Sequence, residues 1–75
     1  MAKDFNYNFI EPHKVIAQKN YGWNLELNKM AWNGNSPKYD IRSWNQTHEK
    51  MSKGLSLTKE ELIALKKLLD SIEIK

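Results

Sequence analysis

The hydrophobic period of this chain changes once, from two residues to 3.6, at the junction of Leu57 and Thr58. That switch forces an α+β reading, because a sheet face and a helix stripe must be buried against each other. The helical side is sharply marked. Thr58 followed by Glu61 forms a capping box, in which each side chain satisfies a free backbone N–H at the helix start. Leu57 and Leu62 flank the cap as a hydrophobic staple. Projected at 3.6 residues per turn, Leu62, Ala64, Leu65, Leu68, Leu69 and Ile72 form a stripe about 160° wide. One sheet requires only about 100° of apolar helix surface. The excess predicts that the helix, over about 59–73, also meets a second surface, its twin in a homodimer.

Upstream, Trp23, Leu25 and Leu27 alternate with Asn24, Glu26 and Asn28, the pattern of a half-buried strand. Asn33-Gly34-Asn35-Ser36-Pro37 is a turn. Beyond it Tyr39 and Ile41 alternate with Lys38, Asp40, Arg42 and Trp44 as the next strand. Lys14 to Ala17 reads as an earlier strand, with Pro12 at its start, where a missing N–H is tolerated. Met51 to Leu57 reads as a last one, with Gly54 marking a bulge or a close backbone approach. The expectation is four antiparallel strands within 13–57 followed by one helix, in a single domain over 9–75. Residues 1–8 have no clear period and are expected to be mobile.

Alternation also sorts side chains by face. Leu25, Leu27, Tyr39 and Ile41 are expected in the core, with Trp23 in phase with them. Met30, Trp32, Lys38, Arg42 and Trp44 then share the opposite face, which must meet water or a ligand. Aromatic rings among cations suit unpaired bases, since any base stacks on an indole while cations follow the phosphates. A bulge near Asn28-Lys29 would instead turn Trp32 inward, and Arg42 has Asp40 as an alternative partner two residues away.

Composition narrows the remaining classes. Seventy-five residues without cysteine leave neither disulfides nor thiolate metal sites to support a small core. His13 and His48 are far apart, and neither has a second ligand at metal spacing, so no metal or cofactor is expected. No nucleophile–base set, phosphate-binding glycine loop or carboxylate pair can be placed, so no enzyme and no small-molecule substrate is expected. No apolar run approaches the roughly 20 residues of a membrane span, and the N-terminus lacks a signal-like apolar segment, giving a cytoplasmic expectation. The net charge of +3 sits in the middle of the chain. Lys14, Lys19, Lys29, Lys38, Arg42, Lys50 and Lys53 face Glu26, Asp40 and Glu49 there, whereas charges balance from Thr58 onward. A basic half suggests a polyanionic partner.

The segment from Lys29 to Leu57 resembles the single-stranded-DNA-binding domain of the transcriptional positive cofactor four family, especially its short bacterial YdbC-like members. The resemblance is carried by Trp32-Asn33-Gly34, an aromatic before a turn glycine. It continues in Tyr39-Asp40-Ile41-Arg42-Ser43-Trp44, an Asp-Ile-Arg strand ending in tryptophan, and in Lys53-Gly54-Leu55-Ser56-Leu57 leading into the helix. With that helix it covers about 45 residues. It implies a curved four-stranded sheet plus helix, a homodimer paired through Leu65, Leu68, Leu69 and Ile72, and grooves for single-stranded DNA. Trp32 takes the place of the stacking aromatic, Arg42 that of the strand arginine, Lys53 that of the lysine before the glycine, and Trp44 that of the aromatic at the strand end. One residue separates Arg42 from tryptophan here, against two in eukaryotic members. The candidate nucleic-acid contacts are therefore Lys29, Trp32, Lys38, Arg42, Trp44 and Lys53. The expected function is sequence-independent binding of single-stranded DNA, tied to transcription regulation or DNA maintenance. Single-stranded RNA binding, or docking on transcription machinery as a protein-interaction module, is the alternative.

Overall fold

The computed structural model describes residues 6–75. Five antiparallel strands and one helix follow in the order β1 (Tyr7–Phe9), β2 (Lys14–Gln18), a single 3₁₀ turn at Asn20–Gly22, β3 (Asn24–Trp32), β4 (Lys38–Trp44), β5 (Leu55–Leu57) and α1 (Lys59–Ser71). The α+β class expected from the period switch is thus observed, with five strands where four were expected.

The additional strand is β1. Of the span expected to be mobile, residues 1–5 lie outside the described residues, but Tyr7 and Asn8 pair with Trp32 and Ala31. β1 and β2 share one edge of β3, β1 beside Met30–Trp32 and β2 beside Asn24–Leu27. The other edge of β3 pairs with β4, and β4 with β5. Three residues with one apolar alternation are too short to show a period, so β1 is legible only through its partner.

Local chemistry explains the elements that were anticipated. Asn33 and Gly34 both adopt positive φ, 51° and 77°, and the Asn35 N–H donates to the Trp32 carbonyl at 2.9 Å. Two consecutive left-handed residues match the strand twist, and asparagine and glycine tolerate them best. The Asn33 side chain also accepts the Asn6 N–H at 3.0 Å, tying the N-terminal segment to this turn. The capping box forms as expected: Glu61 N–H donates to Thr58 Oγ1 at 3.1 Å, and Thr58 N–H to Glu61 Oε1 at 2.8 Å. Met51 meets Trp44 in an isolated bridge, and regular pairing resumes only at Leu55, so the last strand is shorter than its sequence pattern.

The division of faces follows the register: Leu27 lies opposite Ile41, and Glu26 opposite Arg42. The distribution of burial does not follow the expectation. The face expected to meet solvent holds the most buried side chains, Glu26, Asn28, Met30, Asp40 and Trp44. The presumed core residues Leu25, Leu27, Tyr39 and Ile41 are only half-buried, as is Trp23, which precedes β3 instead of lying in it. The cause is coverage. β1 brings Tyr7 and Phe9 across the polar face, and the connection after β4 brings His48 over it, with rings 5.1–5.7 Å from Trp44. On the other face α1 meets the sheet through Leu62 and Leu65, yet none of its residues is buried. Ile16, Leu27, Ile41, Leu62, Leu65 and Leu69 line an open apolar groove of about 470 Å³ between helix and sheet.

Candidate nucleic-acid interface

The site is the part of the polar face that β1 and the β4–β5 connection leave accessible. Its center is Trp32, the last residue of β3, half-buried and flanked by Tyr7 with ring centroids 5.6 Å apart. No bulge interrupts β3 against β4 from Asn24 to Met30, so Trp32 keeps the face that alternation assigns to it. Arg42, two strand positions before Trp44, lays its guanidinium carbon 4.7 Å from the Trp32 ring centroid. The two side chains form a flat aromatic–cation ledge.

The guanidinium is held from below. Arg42 Nε donates to Asp40 Oδ1 and Nη2 to Oδ2, both at 2.7 Å, while Ser56 Oγ donates to Oδ2 at 3.0 Å. Asp40 is fully buried and the Arg42 side chain 16% exposed. A planar fork on a planar carboxylate fixes orientation as well as charge. Arg42 Nη1 additionally lies 3.4 Å from Met51 Sδ. Arg42 therefore pairs with Asp40, the alternative partner two residues away, and at the same time lies over Trp32.

Gly54 shows why glycine is needed beside this pair. A Cβ on it would fall 2.4 Å from Arg42 Cβ and 2.6 Å from the Ile41 carbonyl oxygen. Gly54 thus makes a close backbone approach to Arg42, and the preceding residue, Lys53, is exposed. Lys38, opposite Met30 at the start of β4, is exposed on the same face as Trp32.

Two of the six candidates lie elsewhere. Lys29 is an odd position of β3 and projects to the helix side, with Nζ 3.8 Å from Glu11 Oε2 and 5.7 Å from the Tyr39 ring centroid. Trp44 is on the expected face but has no exposed surface, being enclosed by Tyr7, Phe9 and His48. No base can reach its ring in this arrangement. The structure brings Trp32 and Arg42 into contact and leaves Lys38 and Lys53 exposed, while Lys29 lies on the helix side and Trp44 is buried.

Sequence reading missed what lies beneath. Glu26 is 2% exposed, and His48 Nε2 donates to both its carboxylate oxygens at 3.0 Å. Asn28 Nδ2 donates to Glu26 Oε1 at 3.0 Å, and His13 Nδ1 to Asn28 Oδ1 at 2.9 Å. His13 and His48, which have no second ligand at metal spacing in the sequence, converge in space with Glu26, one ligand-type atom from each lying within 4.8 Å of the others. No local spacing signals this, because the three come from the β1–β2 connection, β3 and the β4–β5 connection. A further aromatic group, Tyr21 and Trp23 with Lys19, borders a hollow of about 560 Å³ near the start of β3.

A five-stranded antiparallel sheet with one C-terminal helix and an aromatic–cation ledge defines a small α+β module of binding type. Residues 19–68 match the family described as Transcriptional Coactivator p15 (PC4), and the chain belongs to that family. It is also 41% identical over 71 residues to an uncharacterized protein of Treponema pallidum (strain Nichols), an alignment covering 95% of this chain and 84% of that protein. Among the described residues no helix is long and apolar enough to cross a membrane.

Proposed function

We propose that this protein binds single-stranded DNA with little sequence preference and without catalysis, as a cytoplasmic homodimer serving transcription regulation or DNA maintenance. The observation that carries the reading is the Trp32–Arg42 ledge, 4.7 Å between guanidinium and ring, on a chain of the PC4 family. A base stacks on this ledge, at a gain on the order of 1–3 kcal/mol. Lys38 and Lys53, both exposed, neutralise phosphates. Arg42 spends most of its charge on Asp40, so it acts chiefly as the fixed floor on which Trp32 is presented. Such contacts read base identity weakly, and duplex DNA, its bases already stacked, binds less well.

The dimer reading rests on the uncovered helix. Leu68, Leu69 and Ile72 are 56%, 46% and 48% exposed, and Leu69 with half-buried Leu65 borders the groove over Leu27 and Ile41. A contiguous apolar surface of this kind on a small domain is normally an interface. Helix-to-helix pairing of a second copy covers it symmetrically.

The test is a competition at fixed salt among a single-stranded DNA, the corresponding duplex and a single-stranded RNA. Preference for the DNA single strand is expected. Equal or tighter RNA binding would move the assignment to RNA, and no binding to any of the three would favour a protein-docking module.

A further inference from the structure

We infer that His13, Glu26 and His48 form a binding site for one first-row divalent metal ion of the zinc type. The ligand set is two imidazoles and a carboxylate, which suits such ions by charge and by softness. In tetrahedral zinc sites the metal–ligand distances of about 2.0–2.2 Å put neighbouring ligand atoms about 3.4 Å apart. Here His48 Nε2 lies 3.0 Å from Glu26 Oε2, and His13 Nδ1 lies 3.5 Å from Glu26 Oε1. Two of the three edges are thus already at ligand spacing.

A second observation is the burial of the Glu26 carboxylate away from the lysines and arginine. Glu26 is buried, and a buried carboxylate is costly unless a cation or strong donors compensate it. Its register neighbour Arg42 is committed to Asp40 by two bonds of 2.7 Å. Lys29 is drawn to Glu11, and Lys19 Nζ donates to Ser43. Among the described residues, the polar contacts of Glu26 are His48, His13 and Asn28. A divalent ion would bind the Nε2 lone pair of His48 and the Nδ1 lone pair of His13, the proton of each neutral imidazole sitting on its other ring nitrogen, and would bring net positive charge to Glu26.

Access and walls are consistent with this. The two imidazoles stack at 3.9 Å with an interplanar angle of 8°, and the His13 side chain is 36% exposed. Parallel rings do not aim two lone pairs at one point. Binding therefore requires His13, on the exposed β1–β2 connection, to turn out of the stack and reset its 3.5 Å edge to Glu26, while the His48–Glu26 edge stays as it is. Phe9 packs edge-on to both rings and Trp44 borders His48, leaving an apolar surround that strengthens the electrostatic attraction. Three protein ligands leave a further coordination position open. The ion would add a coordinate link among the β1–β2 connection, β3 and the β4–β5 connection, which side-chain hydrogen bonds and the stacked imidazoles already join.

The test uses the tag-free full chain, first freed of metal with chelator. Titration with zinc and with cobalt should show one ion per chain, and cobalt should give visible absorption of four- or five-coordinate strength. Zinc at about one hundred times its dissociation constant should raise the melting temperature by about 10–20 °C. His48→Ala and His13→Ala should each weaken binding at least tenfold, in line with loss of a ligand. His13 is exposed, so its variant is expected to fold, and it decides the matter if His48→Ala does not. Absence of binding at millimolar ion overturns the proposal. So does binding that His13→Ala leaves unchanged.

Discussion

Arg42→Ala separates a structural role for this arginine from a phosphate-binding one. Asp40 has no exposed surface and draws on two 2.7 Å bonds from Arg42 and one of 3.0 Å from Ser56. Truncation of Arg42 leaves a buried carboxylate with the serine alone. Breaking a buried ion pair in this way costs about 3–5 kcal/mol, and the 16% exposure of Arg42 admits enough solvent to favour the lower end. Against roughly 4–11 kcal/mol for a domain of 75 residues, this is a large share of total stability. With a urea m value of about 1 kcal/mol/M, the unfolding midpoint should fall by about 3 M. Chain concentration must be held constant across variants, because association contributes to apparent stability. Arg42→Lys should fall between the two, keeping charge but losing the planar fork and its contact with Trp32. A loss below about 1 kcal/mol for Arg42→Ala would refute the buried pair as a main support of the ledge.

Three further outcomes are expected. Trp44→Ala should cost about 3–5 kcal/mol through the cavity it leaves, yet the folded fraction, monitored by circular dichroism, should bind oligo-dT with unaltered affinity. Lys38→Ala and Lys53→Ala should each flatten the slope of log affinity against log salt by about 0.7, the value for one phosphate contact on a single strand. Leu69→Asp should convert a species of twice the 8.9 kDa chain mass into monomer or unfold it, as read by sedimentation; a clean wild-type monomer with full DNA binding would sink the dimer reading.

The parts of this fold legible in the sequence are those encoded by near neighbours. The capping box at Thr58 and Glu61, the Asn33-Gly34 turn and the alternation through β3 and β4 each depend on residues a few positions apart, and each forms. The close approach at Gly54 was legible because only a missing side chain permits it. Alternation states which side chains share a face, but not which face other segments will cover. That is why Glu26, Asn28 and Trp44 were expected near solvent and are buried beneath Tyr7, Phe9 and His48. β1 is too short to carry a period of its own. The meeting of His13, Glu26 and His48 depends on contacts between distant segments, and no spacing in the chain announces it. Lys29 lies at an odd position of β3 and therefore faces the helix side, where it meets Glu11 and Tyr39.

The central claim is that Trp32 provides the platform for an unpaired base. Fluorescence anisotropy of a labelled oligo-dT, titrated at fixed salt with the wild-type chain and with Trp32→Ala, addresses it directly. Once circular dichroism shows the variant folded, its affinity should be lower by about 1–3 kcal/mol, roughly 5- to 150-fold, with the salt slope nearly unchanged. Undiminished affinity in the folded variant would contradict the claim.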